Sequence, residues 1–181
     1  MTRRWPLLIL TIISLGVMAA GAWFSGFRLN VTQSMPLGIY RLVDGPVQRG
    51  DVVALCPPAP WGALGKNRGY TGDGLCPDGS RQLLKFLVAL EGDSIALSPQ
   101  GITVNGILQK FSIRHTHDRQ GRAISSTLES GSVPANLALL LAPVNWSFDS
   151  RYFGFVPLHR LQRVQAIFTF NIQEYNDGSP Q

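Results

Sequence analysis

A chain of 181 residues is long enough for one domain with a real core and short for two. Hydrophobic residues make up 45% and charged residues 15%, which argues against disorder, and 19 glycines with 12 prolines point to a turn-rich β protein. The net charge of +5 comes from basic residues spread from Arg3 to Arg163 with no dense stripe and no DNA-reading helix, so nucleic acid is not the expected partner. A basic face turned towards anionic phospholipid is the better use of that charge.

From Trp5 to Phe27 no residue is charged. A helix of about 20 residues, at ~1.5 Å each, spans the ~30 Å hydrocarbon layer. Trp5 and Trp23 bracket the segment as interfacial rings do, and Arg3 with Arg4 before it set the N-terminus in the cytoplasm and the body outside. The same segment also fits a cleavable signal peptide ending at Ala20-Gly21-Ala22, although it is longer than a usual signal-peptide core. Both readings export the body, and an anchored body belongs to the cytoplasmic (inner) membrane with its catalytic face in the periplasm.

Residues 28–40 form an apolar, turn-containing stretch carrying Ser34-Met35-Pro36-Leu37-Gly38. Ser34 follows Phe27 by seven residues, at most ~23 Å of extended chain, so it works close to the membrane surface. A strand is expected over 39–43, a turn at Asp44-Gly45-Pro46, and a second turn at Arg49-Gly50-Asp51 that opens a strand over 52–55. A loop rich in proline and glycine follows between Cys56 and Cys76. In an oxidising compartment the two cysteines would, if paired, close a loop worth ~3 kcal/mol. Two free thiols are the alternative. Nothing here has metal-ligand spacing, and no cofactor is expected.

The apolar run 83–89 contains Lys85. Residues 94–97, 102–104 and 107–108 make two successive hairpins, the second turning at Asn105-Gly106, where a type I′ turn needs positive φ at both centres. Residues 110–133 are polar and aperiodic, and read as an irregular surface excursion. Strands resume over 137–141 and 164–170, and the tail from Glu174 is expected to fray. The fold class is mainly β: an antiparallel body on one N-terminal helix.

Peptide hydrolysis needs a nucleophile, a base and donors for the oxyanion. Of three lysines, Lys66 lies in the glycine-rich loop and Lys110 enters the polar excursion. Lys85 alone has apolar neighbours on both faces, and burial disfavours the ammonium and lowers its pKa. A lysine snorkelling from an amphipathic strand is the plain alternative. His115, His117 and Asp118 offer a histidine-based site, but in the least structured segment, where a base lacks rigid support.

Four segments make the pair specific. Thr32-Gln33-Ser34-Met35-Pro36, Arg49-Gly50-Asp51-Val52-Val53, Leu84-Lys85 with Gly92-Asp93, and Ser147-Phe148-Asp149-Ser150-Arg151-Tyr152-Phe153-Gly154 resemble, in order, the motifs of the bacterial type I signal peptidase family. The compact body and the Cys56-Pro57-Pro58 and Cys76-Pro77 pairs look most like the conjugative-transfer, TraF-type members that mature pilin subunits. The resemblance implies a signal-peptidase-like β body and a membrane-bound serine endopeptidase. Ser34 would be the nucleophile and Lys85 the general base. The Ser34 N–H and Thr32 hydroxyl would bind the oxyanion, and Ser147 would orient the Lys85 amine. Asp149 and Arg151 look like a supporting pair, with a direct part for Asp149 left open. Expected substrates are prepilins or preproteins with small residues before the cut.

Phe86 and Glu91 depart from the family, which commonly has a basic residue after the lysine and a proline before Gly-Asp. They touch subfamily and substrate, not the catalytic groups. The expected organisation is a tip and anchor over 1–28, a periplasmic peptidase domain over 29–173 with its excursion at about 110–133, and a tail over 174–181. Competing readings are a general signal peptidase for secreted preproteins, a self-cleaving Ser-Lys repressor peptidase, which the apolar N-terminus contradicts, and an inactive subunit of a secretion or conjugation apparatus.

Overall fold

Side-chain alternation and turn chemistry account for most of the observed architecture. The computed structural model describes residues 5–170, so the expected tip before Trp5 and the expected tail over 174–181 lie outside the described residues. Helix α1 (Trp5–Phe24) is apolar around its whole circumference, and none of its residues is buried against the body. Among the described residues it is the one helix long and apolar enough to cross a membrane. Gly26, at φ 84°, turns the chain into the first strand.

Eleven strands follow among the described residues. The first four are β1 (Phe27–Asn30), β2 (Gly38–Leu42), β3 (Val52–Leu55) and, after a short helix α2 (Trp61–Asn67), β4 (Leu83–Leu90). Next come β5 (Ser94–Ser98), β6 (Gly101–Val104), β7 (Ile107–Leu108), β8 (Gly131–Ser132) and β9 (Leu137–Leu141). A single-turn helix α3 (Ser150–Phe153), β10 (Val156–Pro157), a 3-10 turn (Leu158–Arg160) and β11 (Gln162–Thr169) complete the order. Seven strands form one antiparallel sheet in the order β1-β2-β11-β3-β4-β9-β10, and four form a second in the order β7-β6-β5-β8. The last strand is thus inserted between β2 and β3, with Val164 opposite both Leu42 and Val52.

Two cores share strand β9. Leu140 joins Val53, Leu87, Phe148 and Tyr152 in one, while Leu139 and Leu141 join Ile95, Ile102 and Val104 in the other. Alternation along a strand sends neighbours to opposite faces, so a strand buried on both faces reads as a continuous apolar run. Strand β4 reaches both cores through a register shift between Leu87 and Ala89, a bulge that also increases the local twist.

The expected strands and hairpins are present, and Asn105 and Gly106 both have positive φ, at 49° and 82°. The proline- and glycine-rich loop is more ordered than expected. Cys56 and Cys76 are joined in a disulfide, with Cα atoms 5.6 Å apart. Between them, α2 buries Trp61 against Phe148, ring centroids 6.2 Å apart. Propensity hides this helix, because two glycines and flanking prolines weaken it, and tertiary burial overrides that weakness. Strands β1 and β10 are too short for periodicity to register.

Candidate active site

The turn that carries Ser34 is held from below by one amide side chain. Asn30, the last residue of β1, is buried. Its Oδ1 accepts from the Thr32 N–H at 3.1 Å and the Thr32 hydroxyl at 2.7 Å. Its Nδ2 donates to the carbonyls of Thr32, Met35 and Pro36 at 3.2, 3.1 and 3.0 Å. The Tyr40 hydroxyl donates to Pro36 O at 2.8 Å. Gly38 then lets β2 press against β11, since a Cβ there would lie 2.1 Å from Phe168 O. Residues 32–36 are irregular backbone with almost every turn defined by a neighbour. Thr32 Oγ1 and Ser34 Oγ are 3.5 Å apart at the surface of this turn.

Sequence reading missed Asn30 and Tyr40. An asparagine bonding the backbone two residues on is an Asx turn, and Asn30 two residues before Thr32 was the available signal.

Lys85 lies on β4 between β3 and β9, with Val53 directly opposite. Val53 and Leu87 are fully buried, and period-two alternation carries Lys85 to their face. It is 1% exposed. Burial drives its pKa down from 10.5 to about 8, with Asp149 pulling it up and Arg151 pushing it down. Its Nζ donates to Ser147 Oγ at 2.9 Å. No hydrogen bond joins Lys85 to Ser34 among the described residues, although both line one cleft. Such bonds are often long without substrate and tighten when it binds.

Ser147 sits in a loop fastened by a fully buried ion pair. Arg151 donates from Nε to Asp149 Oδ1 at 2.8 Å and from Nη2 to Oδ2 at 2.9 Å, a bidentate pair. Asp149 also caps α3, accepting from the Arg151 N–H, and accepts from the Ala142 N–H. The remaining guanidinium bonds run to the carbonyls of Ala142, Val144 and Asn145 in the Ser147 loop, and to Phe111 and Ile113 in the excursion. A buried pair satisfied on every side fixes geometry more surely than it adds stability.

The second motif has a structural task. Arg49 is ion-paired with Asp93, and the Gly50 N–H and Asp51 carbonyl bond Leu87 of β4 at 2.8 and 2.9 Å. Asp93 also accepts from the Leu90 N–H and from Asn105. This turn braces the strand that carries Lys85 two residues before Leu87.

Among the described residues the histidines form no nucleophile–base array. His115 stacks on Trp146 with ring centroids 3.7 Å apart, and its buried Nε2 has no hydrogen-bond partner among the described residues. His117 Nδ1 lies 3.1 Å from its neighbour Thr116 Oγ1. Asp118 is taken by Arg122 and the Tyr70 hydroxyl.

Ser34, Thr32, Lys85 and Ser147 open onto a cleft of about 510 Å³, ample for a few residues of extended peptide. Its far wall comes from the two segments that look most like free loops. Arg68 donates to Ala123 O at 2.6 Å, Arg122 to Arg68 O at 2.8 Å, and Tyr70 to Asp118 at 2.6 Å. The irregular excursion is therefore bolted to the disulfide loop and bounds the cleft.

The sequence resembles known proteins over most of its length. Residues 2–169 match the profile described as signal peptidase, peptidase S26. The chain is 37% identical to a probable conjugal transfer protein TraF of Sinorhizobium fredii, over 86% of this chain and 85% of that one. It is 36% identical to a plasmid transfer protein TraF of Escherichia coli, over 81% and 83% of the two chains. A crystal structure of a signal peptidase I from Enterococcus faecalis overlaps 68% of this chain and all of that one, at 19% identity and a TM-score of 0.39, too loose to add to the sequence relation.

Proposed function

The chain belongs to the signal peptidase family, peptidase S26, and from that premise we propose that it is a membrane-anchored Ser34–Lys85 endopeptidase that matures a pilin precursor in conjugative transfer. The observation that carries the reading is a fully buried lysine, bonded to Ser147, lining the same cleft as Ser34. The TraF relatives supply the conjugative context.

Ser34 Oγ attacks the scissile carbonyl as Lys85 Nζ takes its proton. Only the neutral amine has a lone pair for that proton, and burial raises its share. The Ser147 hydroxyl, accepting from Nζ, aims the amine. The oxyanion receives the Ser34 N–H and the Thr32 hydroxyl, whose proton turns from Asn30 to the substrate while the Thr32 N–H keeps the turn in place. Collapse of the tetrahedral intermediate expels the leaving amine, which takes a proton from the Lys85 ammonium. Water, or the substrate's own N-terminal amine, then releases the acyl group from Ser34. Asp149 and Arg151 support Ser147. Helix α1 confines enzyme and substrate to one bilayer surface, which raises their effective concentration. The side-by-side exposed residues Leu29, Ile39 and Phe168 across β1, β2 and β11 favour a body resting on that surface. The cytoplasmic N-terminus and periplasmic body follow from Arg3 and Arg4 before the span.

The test uses purified full-length protein in detergent with a prepilin and with a secreted preprotein as control. Mass spectrometry should show the prepilin cut by the native enzyme and intact with Ser34→Ala or Lys85→Ala. Hydrolysis and cyclisation differ by the mass of one water. Cleavage surviving in Ser34→Ala would overturn the assignment, and equal cleavage of the preprotein would make this a general signal peptidase.

A further inference from the structure

The far wall of the cleft is unusually basic. Arg68, Arg119 and Arg122 line it, Arg81 just before β4 lines the same cleft, and among the described residues Asp118 is the one acidic lining residue. Asp118 is spent locally: Arg122 Nε binds it at 2.6 Å, and it also accepts from Tyr70 and from the Gln120 and Arg122 N–H groups. Arg68 and Arg81 differ from Arg122, since their hydrogen bonds go to uncharged oxygens. Arg68 Nη1 bonds Ala123 O and the Tyr70 hydroxyl, and Arg81 Nε bonds Asp73 O. The Arg81 guanidinium lies over Gly72, where a Cβ would come within 2.9 Å of its Nη2. Arg119 sits over the exposed Trp146 ring, 5.5 Å from its centroid.

Arg68 and Arg122 are held on a cross-linked wall. The bonds linking Arg68 to Ala123 and Tyr70 to Asp118 cross between the two loops, and the disulfide closes the loop that carries Arg68. Guanidinium groups facing a confined cleft, with their in-plane donors only partly used, match the planar geometry of a carboxylate. A peptidase with no need to read charge has no evident use for Arg68 and Arg81 beside its substrate groove in addition to the Arg122–Asp118 pair.

We propose that this wall is a carboxylate-recognition subsite, so that the preferred peptide carries a carboxylate a few residues from the scissile bond. This rests on the cleft being the peptide-binding groove of the enzyme proposed above. The carboxylate can be an Asp or Glu side chain or a free C-terminus; both offer the same two oxygens to Arg68 and Arg81.

The experiment measures binding to full-length Ser34→Ala protein in detergent, by fluorescence anisotropy, with labelled peptides sharing one alanine-rich core. One has an amide end and Gln near the cut, one an amide end with Glu there, and one Gln with a free C-terminal carboxylate. At least one carboxylate peptide should bind ~10-fold more tightly than the neutral one at low salt, and the advantage should shrink in ~0.5 M salt. Whichever acidic peptide gains names the source. Arg81→Gln should reduce the acidic-to-neutral affinity ratio, and Arg81→Glu should bring it to one or below; Arg81 is exposed and bonds one carbonyl, so both variants should fold. Equal binding of all three peptides, or a ratio unchanged in Arg81→Glu, would overturn the subsite. Peptides that bind by charge but are never cut by the Ser34 enzyme would instead count against the peptidase assignment.

Discussion

Replacing Lys85 tests the chemistry most directly. A pKa of about 8 in place of 10.5 raises the neutral amine at pH 7 from ~0.03% to ~10%, a ~300-fold gain in the unprotonated form. Lys85→Arg keeps a charge that is not lost in a protein, and should lower kcat by at least ~10³-fold, as Ser34→Ala should. For the native enzyme kcat/KM should rise about tenfold per pH unit below pH 8 and level off above it. Stability supplies an independent readout. The folded-state pKa lies below the unfolded one, so the unfolded chain binds more protons between pH 8 and 10.5, and stability should rise with pH through that window. Lys85→Met removes the desolvated amine at the loss of one bond to Ser147, and should be inactive yet more stable at pH 7 by ~1–3 kcal/mol. Cleavage of a fluorogenic peptide across pH, with thermal unfolding of the same variants, measures both. Near-normal cleavage by Lys85→Arg, or a rate flat between pH 6 and 8, would refute the role of Lys85.

Asn30→Ala should leave the body folded but free the Ser34 turn, costing ~1–3 kcal/mol of stability and ~10²-fold in kcat/KM, mostly in kcat. Asn30→Asp should be worse, because a carboxylate would face the carbonyls of Thr32, Met35 and Pro36 that Nδ2 now serves; unfolding and kinetics on the two variants decide it. Reducing Cys56–Cys76, or replacing both with serine, should cost ~2–4 kcal/mol and weaken peptide binding before it affects the Lys85 pH profile, because the disulfide closes the loop whose residues 68–72 line the cleft. Alkylation of non-reduced, denatured protein should label neither cysteine.

Local features of this chain were legible because each acts within a few residues. An uncharged run of about 20 residues makes a membrane-spanning length whatever surrounds it. Asn105-Gly106 makes a tight turn because few other pairs tolerate two positive φ values. The apolar neighbours of Lys85 announced burial, since a strand sends i and i+2 to one face. How deep that burial runs was settled only by β3 and β9 closing on both sides and by Asp149 and Arg151 packing behind Ser147, with opposing effects on the amine. The insertion of β11 between β2 and β3 joins residues more than a hundred positions apart, and no local pattern encodes it. The far wall of the cleft is similar. Arg68 meets Ala123 and Tyr70 meets Asp118 across separations of 55 and 48 residues. Polar, aperiodic segments carry no face preference of their own, so their conformation is set by the partners the fold brings to them.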